Sequence, residues 1–419
     1  MISANVSLWS MRKGVGGSAP PNLGPSITSS PVTSGTTDTL YQYQVTATDP
    51  EGDTLTFSLS VKPSGMTINA TTGLIQYTPT AVSTPNVTVV VTDTELNSAT
   101  QSYTINVVQQ TLTIQRFLIV AGAGSGGSSN GGGGGAGGFY DAPSRNFIVD
   151  VPYAITIGAG GSSPSNGAVG NNGNDSKIVA DEGSGSATIY QSKAGGGGGC
   201  GNSTVTSVAS GQDGGSGGGA GGGKAWRLTA GNTTNVPKGD AVNTGYNSTG
   251  EDGGESRYYA PLNDYFSGGG GGGQDSSGRF GLAMDGGNGG NGGNWQSLGT
   301  YYAAGGGGAT EGPSSDSNKG HGGTGGGGYG ARYMTVTSPT GTSQNPNGVI
   351  NGTVNRGSGG GGGSSSIAPS IAGGQGGSGV VIFRYSGSTT KATGGTVTTA
   401  GGYVYHTFNS SGTFTPTSA

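Results

Sequence analysis

Residues 23 to about 109 alternate polar and apolar side chains with a period of two, most clearly at 41–47, 55–59, 87–91 and 103–107. Pro-Glu-Gly-Asp at 50–53, Pro-Ser-Gly at 63–65 and Thr-Gly at 72–73 separate these stretches. A period of two places successive side chains on opposite faces of a strand. Short strands separated by turns at this spacing predict an immunoglobulin-like β-sandwich.

A different pattern begins at Thr111. The apolar stretch 112–120 leads directly into glycine, and a matching apolar stretch, 380–385, follows the last glycine run. We predict that these two stretches are strands that pair and close one domain. The glycine-rich runs between them are 122–138, 195–201, 211–223, 268–273, 286–293, 305–308, 320–330, 357–363 and 373–379.

Glycine accounts for 96 of the 419 residues, and such a composition often indicates disorder. An ordered polyglycine run has only its backbone to hold it. The extended left-handed helix with three residues per turn and a rise of about 3.1 Å has no internal hydrogen bonds, so each N–H and C=O must pair with a neighbouring run. We therefore predict an all-β protein: the N-terminal sandwich, then packed polyglycine II helices framed by β-strands.

These patterns divide the chain into a leader (1–22), an immunoglobulin-like sandwich (23–109), a glycine-rich domain (110–386) and a C-terminal strand segment (387–419). The leader carries Trp9, Met11, Arg12 and Lys13. It is either a frayed terminus or a peg that docks on another protein.

The first domain resembles cadherin-like and immunoglobulin-like domains of bacterial surface and phage structural proteins. The resemblance lies in TDPEGDTL at 48–55, PSGMTI at 63–68, TGLI at 72–75 and VTD at 91–93. It implies calcium binding by Asp49, Glu51, Asp53 and Asp93, although relatives place such sites between successive repeats and this chain has one repeat. The alternative is that the aspartates close local turns.

The second domain resembles the glycine-rich domain that is widespread in phage tail proteins. FLIVAG at 117–122, YAITIGAGG at 153–161 and GGSGVVIFRY at 376–385 carry the resemblance, and YVYHTFNSSGTFT at 403–415 is similar to a strand pair that often accompanies that domain. A looser likeness exists to the tip adhesins of T-even-like phages, in which polyglycine helices pack beneath receptor-binding loops. These resemblances imply a virion protein.

Charge and composition reduce the kinds of partner that the chain is expected to bind. Charged residues make up 9% of the chain and the net charge is −4, so we expect no nucleic-acid partner. No apolar stretch approaches the length of a membrane span and residues 1–14 show no export signal, so we expect a soluble chain without membrane insertion. Cys200 is the one cysteine, which excludes an internal disulfide, and no zinc-ligand spacing is present.

Two glycine motifs imitate nucleotide sites. Residues 122–127 (GAGSGG) follow a strand, but a dinucleotide site needs a helix next, and SSN and five glycines follow instead. Residues 218–224 end in lysine, but Ala225 stands where a phosphate loop needs Ser or Thr. His321 and His406 lack a neighbouring nucleophile motif. We predict no enzyme and no cofactor beyond calcium, with a polysaccharide depolymerase as the alternative.

Large aromatic residues are concentrated in the stretches between glycine runs. The candidates for receptor binding are Trp226, Tyr258, Tyr259, Tyr265, Trp295, Tyr301 and Tyr302. Aromatic rings stack on sugars and add contact area at low conformational cost. The alternative is that they cover the ends of the glycine runs.

Together these observations predict a phage virion protein, a tail fibre or tail-tip adhesin. The leader would dock on other virion proteins, and loops on the glycine-rich scaffold would bind a host surface glycan or outer-membrane protein. The alternatives are a capsid or tail decoration protein and, from other classes, the depolymerase or an ice-binding protein. A homotrimer and a single cap both fit the sequence.

Overall fold

The structure is a computed structural model that describes residues 21–181, 186–201, 210–222, 250–257, 267–282, 285–295, 298–310, 320–331, 350–364 and 371–418. Regular structure in these residues consists of β-strands, which confirms the all-β prediction. Nothing in the described ranges is a helix that could cross a membrane. The chain divides into two compact units between Gln110 and Thr111.

The first unit is built from short strands. They are β1 (Ser26–Ile27), β2 (Ser34–Thr36), β3 (Tyr41–Gln44), β4 (Ala47–Thr48), β5 (Thr56–Val61), β6 (Thr67–Ile68), β7 (Leu74–Tyr77), β8 (Asn86–Thr92), β9 (Ser98–Thr104) and β10 (Asn106–Val108). The unit has two antiparallel three-stranded sheets, β3-β7-β6 and β5-β8-β9. In addition, β1 pairs with β4 antiparallel, and β2 pairs with β10 in parallel.

Alternation in β8 builds the centre of the first core. Val87, Val89 and Val91 are fully buried, while the residues between them are partly exposed. Tyr43, Phe57 and other apolar side chains pack against these valines. Each buried valine stabilises the fold by roughly 1.5 kcal/mol or more relative to an exposed one. The period-two pattern of the sequence thus corresponds to a two-sided sheet with one buried face.

The second unit contains more strands. They are β11 (Thr111–Ile114), β12 (Arg116–Val120), β13 (Phe139–Ala142), β14 (Arg145–Ile148), β15 (Tyr153–Thr156), β16 (Ser176–Asp181), β17 (Ser186–Ser192), β18 (Ser256–Arg257), β19 (Gly281–Leu282), β20 (Gly293–Trp295), β21 (Thr300–Tyr302), β22 (Val380–Ser386), β23 (Ala392–Thr393), β24 (Thr396–Ala400), β25 (Tyr403–Phe408) and β26 (Gly412–Pro416).

Two five-stranded sheets dominate this unit. The front sheet has the order β13-β12-β22-β25-β24, and the back sheet has the order β17-β16-β15-β26-β23. β12 and β22 pair antiparallel from Arg116 opposite Arg384 to Val120 opposite Val380, which confirms the predicted closing pair. β25 and β26 do not pair with each other: β25 joins the front sheet and β26 the back sheet.

The central strands of the front sheet, β12 and β22, are buried on both faces. Phe117, Ile119 and Phe383 face the back sheet, where the rings of Phe383 and Phe414 stack with centroids 4.1 Å apart. Leu118 and Val120 lie in a second cluster on the opposite face, with Ala136, Trp295, Tyr302 and Tyr405. Burial of both faces explains why β12 and β22 are continuous apolar runs without alternation.

Residues 131–138, here called the central run, are fully buried and donate hydrogen bonds to three neighbouring runs in rotation. The donor–acceptor pairs are Gly131 to Gly363, Gly134 to Gly360, Gly132 to Gly199, Gly135 to Gly196, Gly133 to Gly269 and Ala136 to Gly272. Each neighbour is thus reached by every third amide. A period of three is the one expected of the extended conformation predicted from the sequence.

The carbonyls of the central run accept from three further runs among the described residues. The pairs are Gly124 to Gly135, Gly127 to Gly132, Ser216 to Ala136, Gly219 to Gly133, Gly306 to Gly134 and Ala309 to Gly131. The runs connected in this way between Ala121 and Gly379 are called the glycine lattice below. Its buried backbone polar groups pair with one another, as a water-free interior requires.

The lattice leaves no room for side chains at its centre. A Cβ atom at Gly132, Gly133 or Gly134 would overlap the carbonyl oxygen of a neighbouring run. Backbone atoms of that neighbour cannot move aside without breaking their own hydrogen bonds. The φ angles of these residues are not positive, so their backbone conformation does not itself demand glycine. Glycine is required because the neighbouring runs approach too closely for a side chain.

Runs at the edge of the lattice carry a polar residue at every third position. In residues 286–294 (GGNGGNGGN) these are Asn288, Asn291 and Asn294. The Oδ1 atoms of Asn288 and Asn291 accept from the amides of His321 (2.8 Å) and Thr324 (3.0 Å) in the next run. Hydrogen-bond partners along the runs repeat every three residues, so every third side chain falls on one side. The edge runs therefore keep two glycine faces inward and one polar face outward.

His406 is fully buried in β25 and makes two hydrogen bonds through its ring. Nδ1 lies 2.7 Å from the Gly394 carbonyl, so it carries the proton, and Nε2 accepts from the Tyr385 hydroxyl at 3.0 Å. That hydroxyl accepts the amide of Lys391 at 2.8 Å. Burial lowers the pKa of His406, with a smaller opposing effect from the bond to Gly394. The network therefore requires a neutral imidazole.

We expect Gly133→Ala to destabilise the second unit by about 3 kcal/mol or to prevent folding, because its Cβ would overlap the Gly306 carbonyl oxygen. Chemical denaturation of the full chain measures the effect. Gly412→Ala is the matched control, since a Cβ there meets the Phe408 ring at 3.5 Å, an ordinary contact. Equal stabilities of the two variants would contradict the packing argument.

The pH dependence of stability should contain a contribution from His406. Because its pKa is lower in the folded state, the stabilisation is complete above the unfolded pKa of about 6.5 and is lost as the pH falls below it, by at most about 1.4 kcal/mol per pH unit. Urea denaturation between pH 8 and pH 5 tests this. His406→Gln should flatten the slope between about pH 6.5 and 5, and His321→Gln, at an exposed position, should retain it.

Candidate functional site

Asp49, Asp53 and Asp93 converge at one end of the first unit. Each offers a carboxylate oxygen, and these oxygens lie within 4.8 Å of one another. Asp49 follows β4, and its Oδ1 accepts the amides of Glu51 (3.0 Å), Gly52 (3.1 Å) and Asp53 (3.2 Å). Gly52 has a φ of 85°, which favours glycine in this turn. Asp49 therefore closes a turn and also contributes to the acidic cluster.

Asp93 is the fixed member of the cluster and is 5% exposed. Its Oδ1 accepts the amides of Glu95 (3.0 Å) and Asn97 (2.8 Å), and its Oδ2 accepts the side-chain amides of Asn22 (2.8 Å) and Asn97 (3.0 Å). Desolvation opposes ionisation of this carboxyl, but the hydrogen bonds outweigh it and lower its pKa. Asp93 is therefore a carboxylate held in one orientation.

Asp53 has the opposite behaviour. Desolvation and the neighbouring carboxyl of Glu95, with smaller contributions from Asp49 and Asp93, raise the pKa of Asp53. A raised pKa in a carboxyl means that its ionised form destabilises the folded state as the pH rises. Repulsion among the carboxylates around Asp53 therefore destabilises the folded state, and a bound cation would offset this repulsion.

The structure brings together three of the four predicted ligands. Glu51 is exposed, and its Oε2 accepts the amide of Leu23 at 3.2 Å. Glu95, which the sequence did not single out, interacts with Asp53 instead. The signal that could have identified it is its position two residues after Asp93, where a tight turn returns its side chain to the cluster.

Asp49 Oδ2 is buried and has no hydrogen-bond partner in the described ranges. A buried carboxylate oxygen without a donor is costly, and metal coordination is one way to satisfy it. Calcium binds oxygen ligands, above all carboxylates, in a flexible geometry. The donor set of Asp49, Asp53 and Asp93, with Glu95 beside it, therefore fits calcium.

Two of the predicted receptor-binding aromatics are packed inside the second unit. Trp295 is fully buried, and its Nε1 donates to Asp141 Oδ1 at 3.1 Å. Tyr302 is 6% exposed and lies in the same cluster. Their rings pack against the front sheet and offer no free face to a ligand, so these two residues act in packing. Tyr301, on the same hairpin, is 39% exposed.

The remaining predicted residues lie outside the part of the chain that the structure describes. They are Trp226, Tyr258, Tyr259 and Tyr265 among the receptor-binding candidates and Trp9, Met11, Arg12 and Lys13 in the leader. Their roles stay predictions.

The glycine motif at 122–127 is part of the lattice. The amides of Gly122, Gly124 and Gly126 donate to the carbonyls of Asn174, Gly135 and Gly374 at 2.9–3.0 Å. No helix follows within the described residues, so no helix N-terminus faces the motif. These amides hold the protein together and are not directed at a phosphate.

A family model described as a glycine-rich domain matches residues 97–386, which is more than half of the chain. The chain belongs to the glycine-rich domain family. The matched residues include both closing strands, β12 and β22, and every run of the glycine lattice. The match thus takes in the backbone lattice and the strands that frame it, and it begins within the first unit, at residue 97.

A second family model, described as "Putative Ig domain", matches residues 24–108, in agreement with the immunoglobulin-like first unit. Among solved structures, human protocadherin-24 EC1-2 is similar at 14% identity over 40% of this chain and 93% of that chain, with a TM-score of 0.22. So low a TM-score carries no argument, and the assignment rests on the family match. A search of curated proteins finds no match.

We expect millimolar calcium to raise the first unfolding midpoint of the full chain by about 5 °C, because it offsets the repulsion around Asp53. Calorimetry with calcium and with a chelator measures the shift. Asp53→Asn should raise the midpoint without calcium and abolish the further gain. Glu51→Gln, at an exposed position, should keep the gain. A calcium-independent midpoint in the unaltered chain would contradict the site.

Proposed function

We propose that the chain is a phage virion structural protein, a tail fibre or tail-tip adhesin that attaches to a polysaccharide or protein on the host surface. The observation that carries the proposal is the glycine lattice, whose interior is held by backbone hydrogen bonds. A core of this kind is independent of the side chains displayed at its ends. It suits a protein whose binding loops change while its scaffold does not.

The runs of the lattice act as polyglycine II helices. The rotation of amide donors among three neighbours, with a period of three, supports this interpretation. So does the outward placement of every third residue in edge runs, such as Asn288 and Asn291. Such helices have no internal hydrogen bonds, so each is held in place only by its neighbours. The lattice therefore behaves as one rigid body.

Several of the described residues that border undescribed stretches meet at one end of the lattice, here called the loop end. Gly201 and Gly222 donate to the carbonyls of Ser128 and Asn130, and Ser364 Oγ donates to Asn130 Oδ1. Thr310 bonds to Ala331 and forms a bridge with Ser267. The chain leaves the described ranges from these positions.

The closing strands and the β20–β21 hairpin lie at the opposite end. Residues 303–310 run from the hairpin to the loop end, a distance of about 22 Å at 3.1 Å per residue. At one extreme the Ala303 amide donates to Arg356, and at the other the Ala309 amide donates to Gly131. One end of the glycine-rich domain is thus anchored by sheets, and the other supports host binding.

Antibody against residues 23–109, detected with gold on intact virions, should label the distal end of the tail in few copies. Such a distribution follows from a tip or fibre position. Label spread over the capsid would instead favour the decoration protein, which occurs in many copies. Absence of label from virions would overturn the proposal.

Recognition is expected to depend on the stretches that join the loop end. We expect Trp226→Ala and Tyr258→Ala to lower virion adsorption to host cells at least tenfold, since aromatic anchors dominate binding energy. Tyr301→Ala is the matched control: the sequence also offered this exposed tyrosine as a candidate, but it lies on the hairpin at the opposite end and this proposal gives it no part in binding. Unchanged adsorption in both loop variants would contradict the assignment of these residues.

A further inference from the structure

A cleft of about 450 Å³, with both polar and apolar walls, opens on the outer face of the back sheet. Thr156, Lys177 and Gln191 line it from three adjacent strands, with Asn174 and Asp175 at its end. Thr156 pairs with Lys177, and Lys177 with Gln191, so the three residues form one row across β15, β16 and β17. Side chains in one row share a face, about 4.8 Å apart from strand to strand.

The opposite face of the same strands is apolar and buried. Ile155 and Ile178, next to the row in sequence, are in the core between the two sheets. Because successive side chains alternate, the register that buries these isoleucines necessarily points Thr156 and Lys177 outward. The cleft therefore lies on the outer face of strands whose other face is buried in the core.

The carboxylate of Asp175 is already engaged. Its Oδ1 accepts the amide of Ala194 at 2.8 Å, and its Oδ2 accepts from Gln191 Nε2 and from Lys193 Nζ, the latter at 3.1 Å. Lys193 thus compensates the charge of Asp175. These bonds also fix Gln191, so its position at the cleft wall is preorganised.

Lys177 forms no ion pair within the ranges that the structure describes. With Asp175 compensated by Lys193, the cleft keeps one positive charge in a chain whose net charge is −4. An unpaired lysine in a cleft attracts an anionic group. The other walls supply a hydroxyl from Thr156 and a side-chain amide from Asn174, which bond to hydroxyl groups.

We propose that this cleft binds one or two residues of a carboxylated sugar, with the carboxylate on Lys177 and the sugar hydroxyls on Thr156, Asn174 and Gln191. Its volume is in the range of small-ligand sites, and a disaccharide is of this size. The inference rests on the proposed attachment to host polysaccharide. It adds the substrate class, because a cleft with Lys177 selects acidic over neutral polymers. The cleft is distinct from the loop end of the lattice.

Calorimetric titration of the full chain with digalacturonate and with the neutral disaccharide digalactose tests the proposal. We expect digalacturonate to bind at least tenfold more tightly, with an affinity that falls as salt increases. Lys177→Gln should remove the preference, Lys177→Arg should retain most of it, and Lys391→Gln, a lysine outside the cleft, should have no effect. Equal binding of the two sugars, or a preference unchanged in Lys177→Gln, would overturn the proposal.

Attachment to host cells separates this inference from the proposed function. If the unaltered chain attaches to cells but does not bind digalacturonate, the cleft proposal fails and the adhesin proposal stands. If it binds digalacturonate through Lys177 but does not attach to cells, the cleft binds the sugar and the adhesin proposal fails. Reduced attachment by Lys177→Gln, with Lys391→Gln unaffected, would support both.

Discussion

Buried backbone N–H and C=O groups must form hydrogen bonds, and in the glycine lattice they form them with other backbone groups of the same lattice. This constraint sets the composition of the second unit. Three donor and three acceptor directions around the central run bring neighbouring chains so close that a Cβ at Gly133 has no space. Larger apolar side chains pack on the lattice where it meets the front sheet, as Leu118 and Trp295 do beside Ala136, while other buried positions of the lattice carry at most a small side chain, as at Ala220 and Ala309.

The two units of the chain are stabilised by different means. The first depends on buried valine, isoleucine and aromatic side chains, and gathers acidic groups at one end. The second has a side-chain core between its sheets and a backbone core in its lattice. The candidate sites follow this division: a cation site of carboxylates in the first unit, and in the second a cleft on the back sheet together with loops borne by the lattice.

Much of the fold was predictable from local pattern. Period-two alternation identified β5 and β8, and the apolar stretches at 112–120 and 380–385 identified the closing pair. β9 (SATQSYT) was missed, because an edge strand with small polar residues has no apolar face to reveal it. Residues 168–174 also join the lattice, through amides such as those of Gly170 and Gly173. Five of these seven residues are not glycine, so the segment lacks the unbroken glycine that marks the other runs.

The sequence by itself determined the strand content, the division into two kinds of domain and the presence of clustered acidic and aromatic residues, because these depend on composition and on periodicity along the chain. Only the tertiary structure decided which of those residues meet. It placed Asp49, Asp53 and Asp93 together and left Glu51 outside, and it buried Trp295 against Asp141 while Tyr301 stayed exposed. Such outcomes depend on register and on contacts between residues distant in sequence, which local pattern does not encode.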